Sequence, residues 1–187
     1  MGVGMELPDF DPTGYTLGGD PTLTDPRTRR LNAYANFGLR YRLRMPFMTQ
    51  VTENLWQGGV EPGLILPDFV DFTLSLFPWT EYEFEHELKE RVTVEMYDSE
   101  EQTFDQVAEL ADWVNRRRQE GTVLVNCQAG LNRSSLVIAT ALIASGEVRT
   151  GQEAIDLIRA RRDPACLCNP AFEAHIRGLT AEAIVAG

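Results

Sequence analysis

The chain has 187 residues, 43% of them hydrophobic and 24% charged, which suits one domain of ordinary size with or without an extended arm. Its 17 basic and 28 acidic side chains leave a net charge of −11, which argues against polyanion binding by the surface as a whole. No run approaches the apolar length of a membrane span, the first twenty residues lack a secretory leader pattern, and Cys127, Cys166 and Cys168 form no disulfide framework. A cytoplasmic globular protein with no membrane partner is expected.

Residues 1–25 are rich in Gly, Pro, Asp and Thr without apolar periodicity and predict an irregular arm. Asp25-Pro26 then predicts the N-cap and first residue of a short helix. Arg27, Arg29, Arg30, Arg40, Arg42 and Arg44 follow against a single acid, Asp25, whereas residues 46–101 hold 13 acids against Lys89 and Arg91. Two solvated faces, or one segment lying on the other, account for these runs. The alternative is an arginine patch that captures a phosphorylated partner. Residues 1–50 are assigned to this arm and residues 51–187 to the folded domain.

From Val51 the pattern is α/β. Val51 to Gln57 predicts a strand ending at Gly58-Gly59, and Val70, Phe72, Leu74 and Leu76 alternate as a second strand stopped by Pro78. Val92, Val94 and Met96 alternate into Asp98. Phe104, Val107, Leu110, Ala111 and Val114 recur at helical spacing. Thr122 to Asn126 is nearly all apolar, as expected of a strand buried on both faces. An apolar helix follows over about 134–145. Thr150 and Glu153 form a capping box for the next helix, and Asn169-Pro170 caps and starts the last. Strands alternating with helices imply a central, mainly parallel sheet flanked by helices.

The segment from Val123 to Ser135, VLVNCQAGLNRSS, carries the chemistry. A buried strand ends at Cys127, five residues intervene, and Arg133 opens a helix. Backbone N–H groups of Gln128, Ala129, Gly130, Leu131 and Asn132 can converge on one anion, with the helix N-terminus adding positive potential. Gly130 permits backbone angles that strain other residues. Arg133 adds a bidentate fork for phosphate. The same field favours a thiolate at Cys127, and Ser134 stands where its hydroxyl can reach the sulfur. A buried, inert cysteine is the bland alternative. The loop lacks the Gly-Lys-Ser/Thr ending of a nucleotide-binding P-loop.

Cys127-Gln-Ala-Gly-Leu-Asn-Arg133-Ser134 resembles the signature loop of the cysteine-based protein phosphatases, in their dual-specificity branch. Residues 51–58 are similar to the strand that opens those domains. Ile158-Arg-Ala-Arg-Arg162 with Asn169 and Phe172 is similar to their closing helix and the turn after it. The resemblance spans about 51–179 and implies a sheet of about four to five strands. It implies phosphomonoester hydrolysis through a phosphocysteine, with Cys127 as nucleophile and Arg133 and the loop amides as the phosphate cradle. Asp98, 29 positions before Cys127, would be general acid and then base. Glu100, Glu101 and Asp105 are its competitors. Asn126 and Asn169 are supporting residues, and Asn126 stands where the family usually has His. No metal or cofactor is implied, since Arg133 and the amides supply the positive charge.

The expected partner is a phosphorylated protein or peptide, bearing phosphotyrosine and also phosphoserine or phosphothreonine, and a monomer is the expectation. A phosphate-binding pseudophosphatase, a phosphoinositide phosphatase, an RNA 5′-triphosphatase and a rhodanese-type sulfur-transfer enzyme are the alternatives. The loop has no lysine, unlike the phosphoinositide-directed relatives, and the acidic surface argues against nucleic acid. Cys166 and Cys168 read as turn or core cysteines, with redox partnership of Cys127 as the other option. His86 and His175 are too isolated to be ligands.

Overall fold

The computed structural model describes residues 19–37 and 39–182, with the backbone alone for 36, 37 and 39–41. The expectation of an irregular arm over residues 1–18 lies outside the described residues. Asp25 to Thr28 form a turn and not the expected helix: the Asp25 carbonyl accepts the N–H groups of Thr28 and Arg29, and the chain then enters a hairpin. Strands β1 (Arg30–Phe37) and β2 (Leu39–Pro46) pair antiparallel. The reason is a period of two beneath the arginines. Leu31, Ala33 and Ala35 alternate with Arg30, Asn32 and Tyr34, and Leu43 and Met45 with Arg42 and Arg44. The apolar set is buried in the main hydrophobic core. Burial of Leu31, Leu43 and Met45 is worth roughly 1.5–3 kcal/mol each, which a solvated helix would forgo.

The expected strand from Val51 to Gln57 is also different. It is a second hairpin, β3 (Met48–Thr52) and β4 (Leu55–Gly58), antiparallel across a turn at Glu53-Asn54. Asn54 has φ +55°, a left-handed turn conformation that Asn tolerates better than most residues. Strands β5 (Phe72–Ser75), β6 (Glu90–Thr93) and β7 (Val123–Asn126) complete a five-stranded sheet in the order β3-β4-β7-β5-β6. All its pairings are parallel except that of β3 with β4.

Helices α1 (Val107–Arg117), α2 (Arg133–Ala144), α3 (Gly151–Arg161) and α4 (Pro170–Arg177) complete the α/β fold. Strand β7 sits between β4 and β5, and its four residues are all buried. Helix α2 packs against β7, α1, α3 and α4, which is why it is apolar on every side. Thr150 caps α3 by accepting from Glu153 N at 3.2 Å, and the Glu153 carboxylate reaches back to Arg149 N at 2.6 Å, one residue beyond the capping-box partner. Among the described residues no helix is long and apolar enough to cross a membrane.

Candidate active site

The carboxyl ends of parallel strands are where open α/β sheets expose their ligand sites, and Cys127 leaves the central strand at that end. The loop from Cys127 to Asn132 is buried throughout. It is anchored to β4 and the following residues: Cys127 N donates to Gly58 O at 3.2 Å, and Val60 N donates to Gln128 O at 2.9 Å. Two glycines permit this approach. Gly130 has φ +68°, and a Cβ there would lie 2.4 Å from the Gly58 carbonyl carbon; a Cβ on Gly59 would lie 2.8 Å from Gln128 O.

A residue outside the expected site anchors the loop. Arg162, buried behind the loop, donates from Nε to Gly130 O at 2.5 Å and from Nη2 to Ala129 O at 3.0 Å. Its Nη1 reaches Thr49 Oγ1 at 3.0 Å and Pro46 O at 3.3 Å. Burial holds its pKa below the usual guanidinium value, and carbonyl dipoles take the place of a carboxylate partner. Arg162 thus takes up the carbonyls of Ala129 and Gly130 from one side of the loop.

Gln57 is a second residue missing from the sequence-based site. Its amide Nε2 lies 2.7 Å from Ser135 Oγ, 2.9 Å from Gly130 O and 3.2 Å from Ser134 Oγ. Ser134 Oγ is in turn 3.5 Å from Cys127 Sγ. A hydroxyl that accepts from Gln57 keeps its own hydrogen for a thiolate.

Arg133 is 2% exposed. Its Nη1 donates to Met96 O at 3.1 Å, while Nε and Nη2 are buried without a partner. The guanidinium lies over the Phe77 ring, 5.2 Å from its centroid. Asn126 donates to Ser75 Oγ at 3.2 Å, and Ser75 Oγ donates to Phe77 O at 3.1 Å. Asn126 thus braces the strand end that carries Phe77.

Asp98 is brought to the loop. Asn132 Nδ2 donates to its Oδ2 at 3.1 Å and Asn169 Nδ2 to its Oδ1 at 3.0 Å. Asn169 N donates to Asn132 Oδ1 at 3.1 Å, which closes the network. Glu100, Glu101 and Asp105 are exposed. Leu131 is fully buried, and its carbonyl accepts from Leu167 N at 3.2 Å. Cys168 Sγ lies 3.5 Å from Asn132 Nδ2, and Cys166 is fully buried, its thiol pushed up to about 12 by desolvation. His86 and His175 are in other parts of the fold: His86 bonds Val70 O at 2.9 Å and His175 stacks on Phe104.

The model of the dual-specificity phosphatase catalytic domain matches residues 71–180. The chain belongs to this family. The dual-specificity phosphatase fold recurs in solved structures of low sequence identity. Human tyrosine phosphatase-like serine/threonine/tyrosine-interacting protein matches with a TM-score of 0.60 at 14% identity, over 75% of this chain and 98% of that one. Human DUSP28 matches with 0.58 at 18%, over 76% and 97%. OH1 of the Orf virus, a tyrosine phosphatase, matches with 0.54 at 18%, over 69% and 83%. No curated protein sequence matches the chain. As a dual-specificity phosphatase domain, the chain is built for phosphorylated substrates.

Proposed function

We propose that this domain hydrolyses phosphomonoesters on proteins through a phosphocysteine, with phosphotyrosine as the favoured substrate. The observation that carries the reading is Arg133: a buried guanidinium with Nε and Nη2 unpartnered matches a bidentate oxyanion. An isolated buried charge is costly, and a phosphate dianion in the loop would relieve that cost.

On this reading the Cys127 thiolate attacks phosphorus in line while the P–O bond to the leaving group breaks. Asp98 gives its proton to the departing oxygen. A water, deprotonated by Asp98, then attacks the phosphocysteine, the S–P bond breaks back to the thiolate, and inorganic phosphate leaves. Arg133 and the loop N–H groups hold the equatorial oxygens in both steps. Ser134, oriented by Gln57, steadies the sulfur as leaving group.

An aromatic wall supports the phosphotyrosine preference. Phe77 lies under Arg133, Trp79 is 4.9 Å from Phe77 and Tyr97 is 6.3 Å from Trp79, centroid to centroid. Trp79 and Tyr97 are 57% and 56% exposed, so an aryl group can lie against them.

Turnover of p-nitrophenyl phosphate by wild type and Cys127→Ser tests the reading, together with tungstate binding by both. Hydrolysis by wild type, its loss in the variant and retained tungstate binding are expected. Binding without turnover in wild type would make the domain a phosphate-binding module. Turnover that survives Cys127→Ser would remove Cys127 from the mechanism.

A further inference from the structure

The outer face of the first hairpin has no role in the site above. Arg30, Asn32, Tyr34, Arg42 and Arg44 point outward from it, opposite the buried apolar set. Asn32 is directly across from Arg44, and Arg30 is diagonal to it. Arg42 and Arg44 are two positions apart on one strand, about 7 Å, and diagonal neighbours lie at a similar spacing. Arg30, Arg42 and Arg44, with Gly19, Asp20, Leu31 and Asn32, line a cleft of about 810 Å³.

Charge pairing separates these arginines from many others in the chain. Arg27, Arg29, Arg91, Arg116, Arg117, Arg118, Arg159 and Arg177 each form an ion pair with a carboxylate. Arg30, Arg42 and Arg44 form none among the described residues, in a chain of net charge −11. Asp20, the carboxylate in the cleft lining, accepts instead from Thr22 N at 3.0 Å and Thr22 Oγ1 at 2.7 Å. The base of the hairpin is tied to the phosphate loop, because Arg162 donates to Pro46 O at the end of β2 as well as to Ala129 and Gly130.

We propose that this cleft is a second anion site that docks an extended, acidic or multiply phosphorylated segment of a protein partner. An extended chain also repeats its side chains every about 7 Å on one face, so acids or phosphates at alternate positions fall in register with Arg42 and Arg44. The phosphatase reading enters only in identifying that partner as a substrate, tethered beside the loop by a segment other than the one being hydrolysed.

The probe is a fluorescent Glu-rich peptide with two phosphoserines at alternate positions, titrated against the full chain by polarisation. Arg42→Glu/Arg44→Glu should weaken binding by roughly tenfold or more, since two charge-assisted contacts become repulsions, and Arg133→Met should leave it within about twofold. Arg42→Gln/Arg44→Gln, which removes charge from two exposed positions without adding any, should fall between. Turnover of p-nitrophenyl phosphate, too small to span both sites, should be unchanged in both hairpin variants. Peptide binding that survives the hairpin changes, or that is lost on Arg133→Met alone, overturns the proposal. So does tighter binding of a single-stranded RNA of equal charge. A wild type that binds the peptide but turns over no aryl phosphate would refute the phosphatase reading and leave the docking site standing.

Discussion

Asn169 joins two tasks in one side chain: its Oδ1 accepts the N–H of Ala171 at 3.0 Å and of Phe172 at 3.4 Å, capping α4, while its Nδ2 donates to Asp98 Oδ1 at 3.0 Å. The position of the proposed general acid is therefore coupled to the start of a helix 71 residues further along the chain. Asn169→Asp keeps an oxygen for the cap and replaces the donor to Asp98 with a second carboxylate. Two close carboxylates favour protonation of one of them, so the basic limb of the rate profile should move up by about one pH unit or more. Asn169→Ala should instead cost about 1 kcal/mol of stability through the lost cap. A pH–rate profile and a urea melt of the two variants separate the effects. Superimposable profiles for wild type and Asn169→Asp would show that the two residues do not meet in solution.

Arg162 makes a prediction about the loop itself. Its removal takes the donor from the buried Ala129 carbonyl and one of two donors from Gly130 O, which keeps Gln57 Nε2, and an orphaned buried acceptor costs roughly 1–3 kcal/mol. Arg162→Met should therefore lower stability by roughly 1–3 kcal/mol and weaken tungstate binding by loosening the loop. Arg162→Lys keeps a charge but not the planar fork and should recover only part. Unchanged denaturation midpoints would mean that other groups hold these carbonyls.

The loop between β7 and α2 was legible because its elements are local. A buried strand, five loop residues with Gly130, and a helix opened by Arg133 all lie within one short window. The Asn169 cap was legible for the same reason. Arg162 and Gln57 were not, because their partners are 33 and 77 positions away and no local pattern marks a buried guanidinium or amide. The first hairpin was hidden differently. Its outward arginines are a charge run when read one by one, and become a strand face only when Leu31, Ala33, Leu43 and Met45 are read as the alternating inner set.

His175 supplies a pH dependence of stability. Half-buried and stacked on Phe104 at 3.9 Å, it is held below its ordinary value of 6.5 by burial. The folded state therefore favours the neutral ring. Its contribution is complete above the unfolded value and is lost as pH falls through the lower folded value. The melting temperature of wild type minus that of His175→Phe should fall as pH drops from about 7 to about 5, because ring burial is kept in the variant and titration is not. A difference that stays flat across that range would mean the ring is solvated.

Asp98 gives the sharpest test of the mechanism. As general acid it should be worth roughly 10²–10⁴-fold in turnover, so Asp98→Asn and Asp98→Ala should both slow hydrolysis by that order. Two variants are needed because Asn132 and Asn169 each donate to one Asp98 oxygen, and an amide at 98 would turn a donor toward one of them. Asp98→Ala removes that conflict along with the proton. In both variants the loss should shrink for an aryl phosphate whose phenol is strongly acidic, since such a leaving group departs without protonation. The basic limb of the rate profile should vanish with the carboxyl group, and the acidic limb, which belongs to the nucleophile and the substrate, should remain. Rate against pH for two aryl phosphates of different leaving-group acidity decides the matter. Equal slowing of both substrates with the basic limb intact would place the acid elsewhere, and the exposed Glu100, Glu101 and Asp105 would have to move to reach the loop.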